Sequence, residues 1–281
     1  MPVTESLLCA YVSYLADQHL KHATIKVYLS AIRQVQIATG LPDPFAGTAW
    51  PRLDQVMKGI KRVEAEKGTV KRECLPISPL ILSKLRDAWS PTKGEHDTKM
   101  IWAACCLCFF AFLRAGEMTV PTDEEYDPSV HLSVQDISVD DAKHPSVLCI
   151  RIKQSKTDPF CKGVNLFVGK TGSLVCPVSA MLSYLCTRGM ENGPLFKFED
   201  GRVLTRQRFV AIVKEGLQRA GIDSSKYNGH SFRISAATTA AAKGIEDSII
   251  KTLGRWESVA YLQYVKIPRS QLAGYSNMLV S

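Results

Sequence analysis

No apolar run in these 281 residues approaches the roughly 18 that a membrane-crossing helix needs. The opening Met-Pro-Val-Thr-Glu-Ser also lacks the basic and apolar regions of a secretion signal, so the expectation is a protein that stays inside a cell. Cysteine excludes a secreted disulfide framework: there are nine, an odd number, spread from Cys9 to Cys186 and mostly within apolar runs, so reduced thiols are expected. Cys105 and Cys108 have C-x-x-C spacing. With Cys106 they sit inside the apolar run from Trp102 to Phe110, no second ligand pair is near, and a packed helix is read there instead of a zinc site. H-E-x-x-H, G-x-S-x-G and a paired acidic cluster for two metals are all missing, which argues against metal-dependent nucleases and integrases. Gly169-Lys170-Thr171 has the end of a phosphate-binding loop, but Gly163 lies one residue too far upstream. Lys61-Arg62 and Lys71-Arg72 are too short for a strong basic targeting signal.

What is present is ordinary for a globular chain, with 46% hydrophobic and 22% charged residues, and enough length for one large core plus a smaller domain. The net charge of +8 and isoelectric point near 9.0 suit a polyanionic partner. Residues 1–72 hold 10 Lys+Arg against 6 Asp+Glu and residues 73–281 hold 25 against 21, so each part has a surplus of +4 and basic density is highest at the N-terminus. That N-terminal part reads as helical. Leu7, Leu8, Tyr11 and Leu15 mark one apolar face; a second helix is expected from Thr24 as N-cap through Ile25, Tyr28, Leu29, Ile32 and Val35 to Gly40, beyond which Pro42 and Pro44 forbid continuation. Lys26, Arg33 and Gln34 fall off that stripe, where they could meet phosphates or bases or simply be solvated. A third helix should hold Val56, Ile60 and Val63, with Lys58, Lys61 and Arg62 around it. Polar, charged sequence from Glu64 to Cys74 reads as a linker, giving domains at 1–72 and 73–281.

The larger part is expected to be mainly α with a small antiparallel β-sheet. Helices are predicted over Pro79–Trp89, Thr98–Arg114 and near 177–188, 205–220, 231–243 and 246–254, with Gly221 and Gly244 at C-cap positions; strands are predicted near 132–137, 147–153 and 163–168. Within this frame four clusters carry chemistry. Arg114 interrupts a buried run, with Glu117 three residues on, which marks either a functional cation or an ion pair capping a core helix. Lys156 should sit in a tight turn between strands, as a solvated charge or as a proton donor to a leaving oxygen. His230 and Arg233, at i and i+3, would face one ligand: an arginine fork binds two phosphate oxygens, and a histidine moves a proton near neutral pH. Gly254-Arg255-Trp256 is followed by Tyr264, whose phenol could attack phosphorus to give a covalent ester.

In order, Arg114, Lys156, His230-x-x-Arg233, Trp256 and Tyr264 resemble the set that defines the tyrosine recombinase (phage integrase) family. The wording His-Ser-Phe-Arg-Ile-Ser-Ala-Ala-Thr-Thr-Ala-Ala, with Leu-Gly-Arg-Trp-Glu-Ser, is similar to eukaryotic members carried by DIRS-type and related mobile elements. The resemblance covers nearly all of the chain. It implies a small helical core-binding domain at 1–72 and a catalytic domain at 73–281. Arg114 and Arg233 would clamp the scissile phosphate, Lys156 act as general acid, His230 as an acid/base group, Trp256 as a phosphate-contacting donor, Tyr264 as nucleophile, and Glu117 as support. Lys26, Arg33 and Gln34, with Arg206 and Arg208 in the helix opened by Thr205, would contact double-stranded DNA. One departure is that many members place the tyrosine nine residues after the His/Trp position, whereas Tyr264 is eight after Trp256; Tyr261, five after it, is the competing nucleophile. The resemblance further implies strand cleavage and rejoining through a 3′-phosphotyrosyl intermediate without metal, ATP or cofactor, a tetramer on two duplexes with a contact supplied by residues 271–280, and a nuclear location. Type IB topoisomerases share the chemistry but have lysine where this chain has His230. The other reading is a catalytically inactive DNA-binding protein derived from a mobile element.

Overall fold

The computed structural model describes residues 3–47, 49–68, 74–89, 94–156, 158 and 160–266. Its contacts divide the chain into two units, Met1–Arg72 and Glu73–Ser281. The expected intersubunit segment 271–280, the pair Lys71-Arg72 and part of the expected linker, 69–73, lie outside the described residues.

The first unit holds three helices, α1 (Glu5–Asp17), α2 (His22–Ala38) and α3 (Pro51–Glu66). Leu8, Val12 and Leu15 of α1 pack with Ile25, Leu53 and Met57 in one small core. Leu7, expected on the buried face, is instead 53% exposed, because the helix turns Val12 inward in its place. Tyr28 and Val35 of α2 and Val63 of α3 are likewise exposed. The second helix begins before Thr24, since the backbone N–H of His22 donates to a Glu64 carboxylate oxygen at 3.0 Å. An acceptor from α3 thus does the work assigned to a local cap. Glu5 of α1 does the same for α3, accepting from Arg52 N at 2.7 Å and Leu53 N at 3.3 Å. The helix continues to Glu66, so residues 64–66 are helical and not linker.

The second unit is built round α5 (Glu95–Phe110), in which every side chain from Met100 to Phe109 is buried. This explains the cysteines: Cys105, Cys106 and Cys108 are core side chains whose thiols burial pushes well above the ordinary value, and all nine cysteines are unpaired. Packed on α5 are α4 (Pro79–Trp89), the short α6 (Ala115–Met118), α7 (Pro177–Arg188) and α9 (Ser231–Ala242); α8 (Arg206–Arg219) packs on α4, and α10 (Asp247–Gly254) on α9. The fold is mainly α with a three-stranded antiparallel sheet, β1 (Ile137–Val139), β2 (Val147–Ile152) and β3 (Val164–Gly169), in that order. Leu148, Ile150 and Ile152 alternate into the core, opposite Val168, Leu166 and Val164. The first strand starts later than expected because Asp136 accepts from Ser133 N at 2.7 Å and Oγ at 2.6 Å, winding Val134–Asp136 into a 3-10 turn. No helix among the described residues is long and apolar enough to cross a membrane.

The α4–α8 contact depends on Gly216, where a Cβ would lie 2.5 Å from Trp89 Nε1 and 2.9 Å from Leu85 Cδ2. Both neighbours are fully buried. Gly216→Ala should therefore lower stability, because overpacking at about 1–3 kcal/mol outweighs the roughly 1 kcal/mol of helix propensity gained. A thermal melt should drop by several degrees; an unchanged or raised midpoint would mean that the indole can shift.

Candidate active site

The site begins where α5 stops. One helix is expected through Arg114, but Phe112 adopts a left-handed conformation (φ 51°) and Leu113 N donates back to Cys108 O at 3.1 Å. That closes α5 in the way a glycine commonly does, here with a buried phenylalanine. The chain restarts with Arg114 capping α6. Its backbone N–H donates to Glu117 Oε2 at 2.9 Å and its Nη1 to Oε1 at 2.7 Å. The expected ion pair is present, then, but on its own short helix at the surface of the core. A second arginine shares the carboxylate: Arg255 Nη2 donates to Glu117 Oε2 at 2.6 Å, from 138 residues away in the chain. The Glu117 side chain is only 5% exposed.

Arg233, on the first turn of α9, is completely buried. Its Nη1 donates to the Phe112 carbonyl and its Nη2 to that of Gly254. The Trp256 ring covers the guanidinium at 4.2 Å and the Tyr264 ring lies at 5.6 Å. Burial, followed by the charges of Arg114 and Arg255, brings its pKa down to about 10, so it remains a cation at neutral pH. Trp256 is thus a platform for Arg233, and its ring also meets Phe112 at 6.2 Å and Tyr264 at 5.2 Å. Gly254 permits this: a Cβ there would fall 1.7 Å from the Trp256 ring.

Beside Arg114 opens a cavity of about 450 Å³, lined among others by Glu117, His131, Lys156, Arg206 and His230. Four expected residues, Arg114, Glu117, Lys156 and His230, therefore meet on it, with Arg206 from the DNA-contact expectation. Gly229 passes tightly over Ala115, its would-be Cβ 3.2 Å from the alanine's, which brings His230 next to Arg114. Lys156 is exposed, in a tight turn that Asp158 N closes on Ser155 O at 3.0 Å, within the connection from β2 to β3. The base of that connection is fixed by Lys153, whose Nζ donates to Pro128 O at 2.7 Å and His131 O at 3.1 Å and pairs with Asp136. Partial burial pushes His230 below the ordinary histidine value, assisted by the charges of Arg206, Arg233, Arg114 and Lys156.

The two candidate nucleophiles differ. Tyr261 is buried, and the hydrogen bond to Asp247, together with burial, raises its phenol above the ordinary value. Tyr264 is half-buried, at the end of the 3-10 turn Val259–Gln263, with its backbone carbonyl accepting from Thr238 Oγ1 at 3.0 Å. Of the other expected residues, Arg208 does not line the cavity and is engaged by Asp123, 2.6 Å from Nη2 to Oδ2. Arg33 is paired with Asp43, while Lys26 and Gln34 are exposed on α2. Sequence reasoning passed over Arg255. It stands nine residues before Tyr264, the interval that Trp256 misses by one, and this interval was the available signal.

No family model matches the chain. An integrase/recombinase XerD homolog from Selenomonas ruminantium is 27% identical over 269 residues, covering 92% of this chain and 72% of that protein. Among solved structures, the XerH site-specific recombinase bound to palindromic difH substrate has a TM-score of 0.55 at 16% identity, covering 73% of this chain and 53%, about half, of that one. The XerA recombinase has a TM-score of 0.50 at 16% identity and covers 98% of both chains. The fold is that of tyrosine recombinases, and the XerD homolog supports the tyrosine recombinase family that the motifs point to.

The cations round His230 have a measurable consequence. Its folded pKa lies below the unfolded one, so the stability it contributes is fully present above the unfolded value and is lost as pH falls through the folded value. In NMR titration the His230 ring should protonate below the ordinary histidine value, and Arg206→Ala should move it upward. A ring titrating at or above that value would show that the four cations do not act on it.

Proposed function

We propose that this chain is a site-specific DNA recombinase that cleaves and rejoins double-stranded DNA through a 3′-phosphotyrosyl link to Tyr264. The observation that carries the reading is the pairing of a half-buried tyrosine with a buried guanidinium: Tyr264 lies 5.6 Å from Arg233, and its rival Tyr261 is buried against Asp247. Support also comes from the cavity that joins Arg114, Lys156 and His230, and from the similarity to recombinases, one of them solved on DNA.

In the proposed reaction the Tyr264 oxygen attacks phosphorus, and the bond from phosphorus to the 5′-oxygen breaks. Lys156 gives its proton to that leaving oxygen. His230, kept neutral by its surroundings, takes the phenol's proton. Arg114 and Arg233 spread the charge that builds on the phosphoryl oxygens. A 5′-hydroxyl of a partner strand then attacks the phosphotyrosine and releases Tyr264, so the ester is conserved and no energy source is required. Arg255, which stands at the nine-residue interval from Tyr264, holds Glu117 beside Arg114. Arg206 and the exposed Lys26 and Gln34 are the proposed DNA contacts. Kinship with eukaryotic mobile elements, a nuclear location and assembly of a tetramer on two sites belong to the same proposal, and rest on the wording of the motifs.

Covalent trapping on a pool of nicked duplexes tests it, because the nick lets the cleaved end diffuse away. Wild type and Tyr261→Phe should give an adduct on a denaturing gel, and Tyr264→Phe none. Arg114→Ala should slow adduct formation by about 10²–10³-fold, on the scale of a lost oxyanion donor. DNA binding without any adduct would favour the inactive DNA-binding protein, and loss only with Tyr261→Phe would move the nucleophile.

A further inference from the structure

We infer that Arg255 is a positioning residue that keeps Glu117 from closing on Arg114, leaving Arg114 able to take a phosphate oxygen. The inference deepens the proposed reaction and rests on that reading.

An arginine and a carboxylate left to themselves form a two-pronged pair that occupies both carboxylate oxygens and two guanidinium donors. Arg114 and Glu117 do not. Arg114 reaches Oε1 through Nη1 alone, at 2.7 Å, while Oε2 is taken by the Arg114 backbone N–H at 2.9 Å and by Arg255 Nη2 at 2.6 Å. Arg255 thus fills the second prong. The Arg114 side chain remains 19% exposed, against 11% for Arg255, and Arg114 is the one that lines the cavity with Lys156 and His230.

The backbone supports a dedicated role. Arg255 sits just past the end of α10 in a left-handed conformation (φ 55°), where a glycine is the usual residue. A residue with a Cβ is about 1–2 kcal/mol worse in that conformation, and it persists only where its surroundings over-determine it. Here the conformation sends the side chain inward to Glu117.

Charge supplies a second observation. Arg114, Arg233 and Arg255 interact electrostatically with one another, and Glu117 is the carboxylate among them. Nε and Nη1 of Arg255 and Nε of Arg233 are buried with no hydrogen-bond partner among the described residues. Three guanidiniums against one carboxylate leave an excess of two positive charges, which an anion would offset. Without Arg255, Glu117 would turn both oxygens to Arg114 and the excess would fall to one.

The test uses the full chain with arginine Nε–H groups observed by NMR, and inorganic phosphate as the probe. Arg255→Met should weaken phosphate binding by about tenfold or more, the scale of a charge-assisted hydrogen bond. The double variant Glu117→Gln/Arg255→Met should recover most of that loss, because the competing carboxylate is gone. Glu117→Gln alone should bind phosphate at least as tightly as wild type, and it also decides the question if Arg255→Met fails to fold. Arg255→Lys, which keeps the charge, should stay near wild type. A purely structural ion pair would instead make the two losses add. Phosphate affinity unchanged in Arg255→Met, additive losses in the double variant, or weaker binding in Glu117→Gln would each overturn the inference. Adduct assays on the same proteins separate it from the reaction: no adduct from wild type sinks the recombinase reading, while the phosphate titrations still decide the role of Arg255.

Discussion

The site is organised by one buried carboxylate shared between two arginines that come from distant parts of the second unit. Glu117 is 5% exposed, and Arg114 and Arg255 both donate to it. A buried ion pair is a poor source of stability, since desolvation cancels much of the attraction; a well-packed apolar substitute often does as well. What such a pair gives is geometry. To bring the two guanidiniums together the chain must end α5 early, start α6 just after Arg114, and turn the residue that follows α10 inward. The helix break, the short helix and the left-handed turn are therefore consequences of one arrangement.

Backbone strain follows the same pattern. Among the described residues, four other than glycine have positive φ, and two of them, Phe112 and Arg255, are at this site. Phe112 aims its carbonyl at Arg233, and Arg255 sends its side chain to Glu117. Each conformation is unfavourable alone. The neighbouring core holds them: ten consecutive side chains of α5, Met100 to Phe109, are buried directly before the break. Groups fixed in this way need not reorganise when charge develops on a bound phosphate, which is how a preorganised site lowers a barrier.

Much of the fold could be read from the chain because its signals were local. The seventh helix has proline at its first position and Gly189 just past its end, and both boundaries were expected. The spacing of His230 and Arg233 is also local, and the alternation of Leu148, Ile150 and Ile152 marks a half-buried strand without help from elsewhere. The misses were distant effects. The start of α2 depends on Glu64, 42 residues away, so Thr24 looked like a cap that the helix did not need. No glycine or proline announces the break at Phe112, which serves Arg233. The resemblance implies Trp256 as a phosphate-contacting donor; in the fold its ring covers Arg233, and it is the neighbouring Arg255 that reaches the carboxylate.

The same electrostatics bears on the two proton-transfer roles proposed for Lys156 and His230 on the cavity rim. Burial disfavours a charge on His230, and the surrounding positive charges add to the effect, so the ring's pKa lies below the ordinary histidine value. A bound phosphodiester reverses that influence. Its negative charge offsets the arginines, raises the affinity of the ring for a proton, and does so only while the ester is in place. In the proposed reaction, proton uptake by His230 would therefore be coupled to occupation of the site, the base being readiest once the phosphodiester is bound. Removing Arg206, Arg233 or Arg114 would leave the histidine charged over more of the acidic range, so in the proposed reaction these arginines would bear on acid–base function as well as on binding.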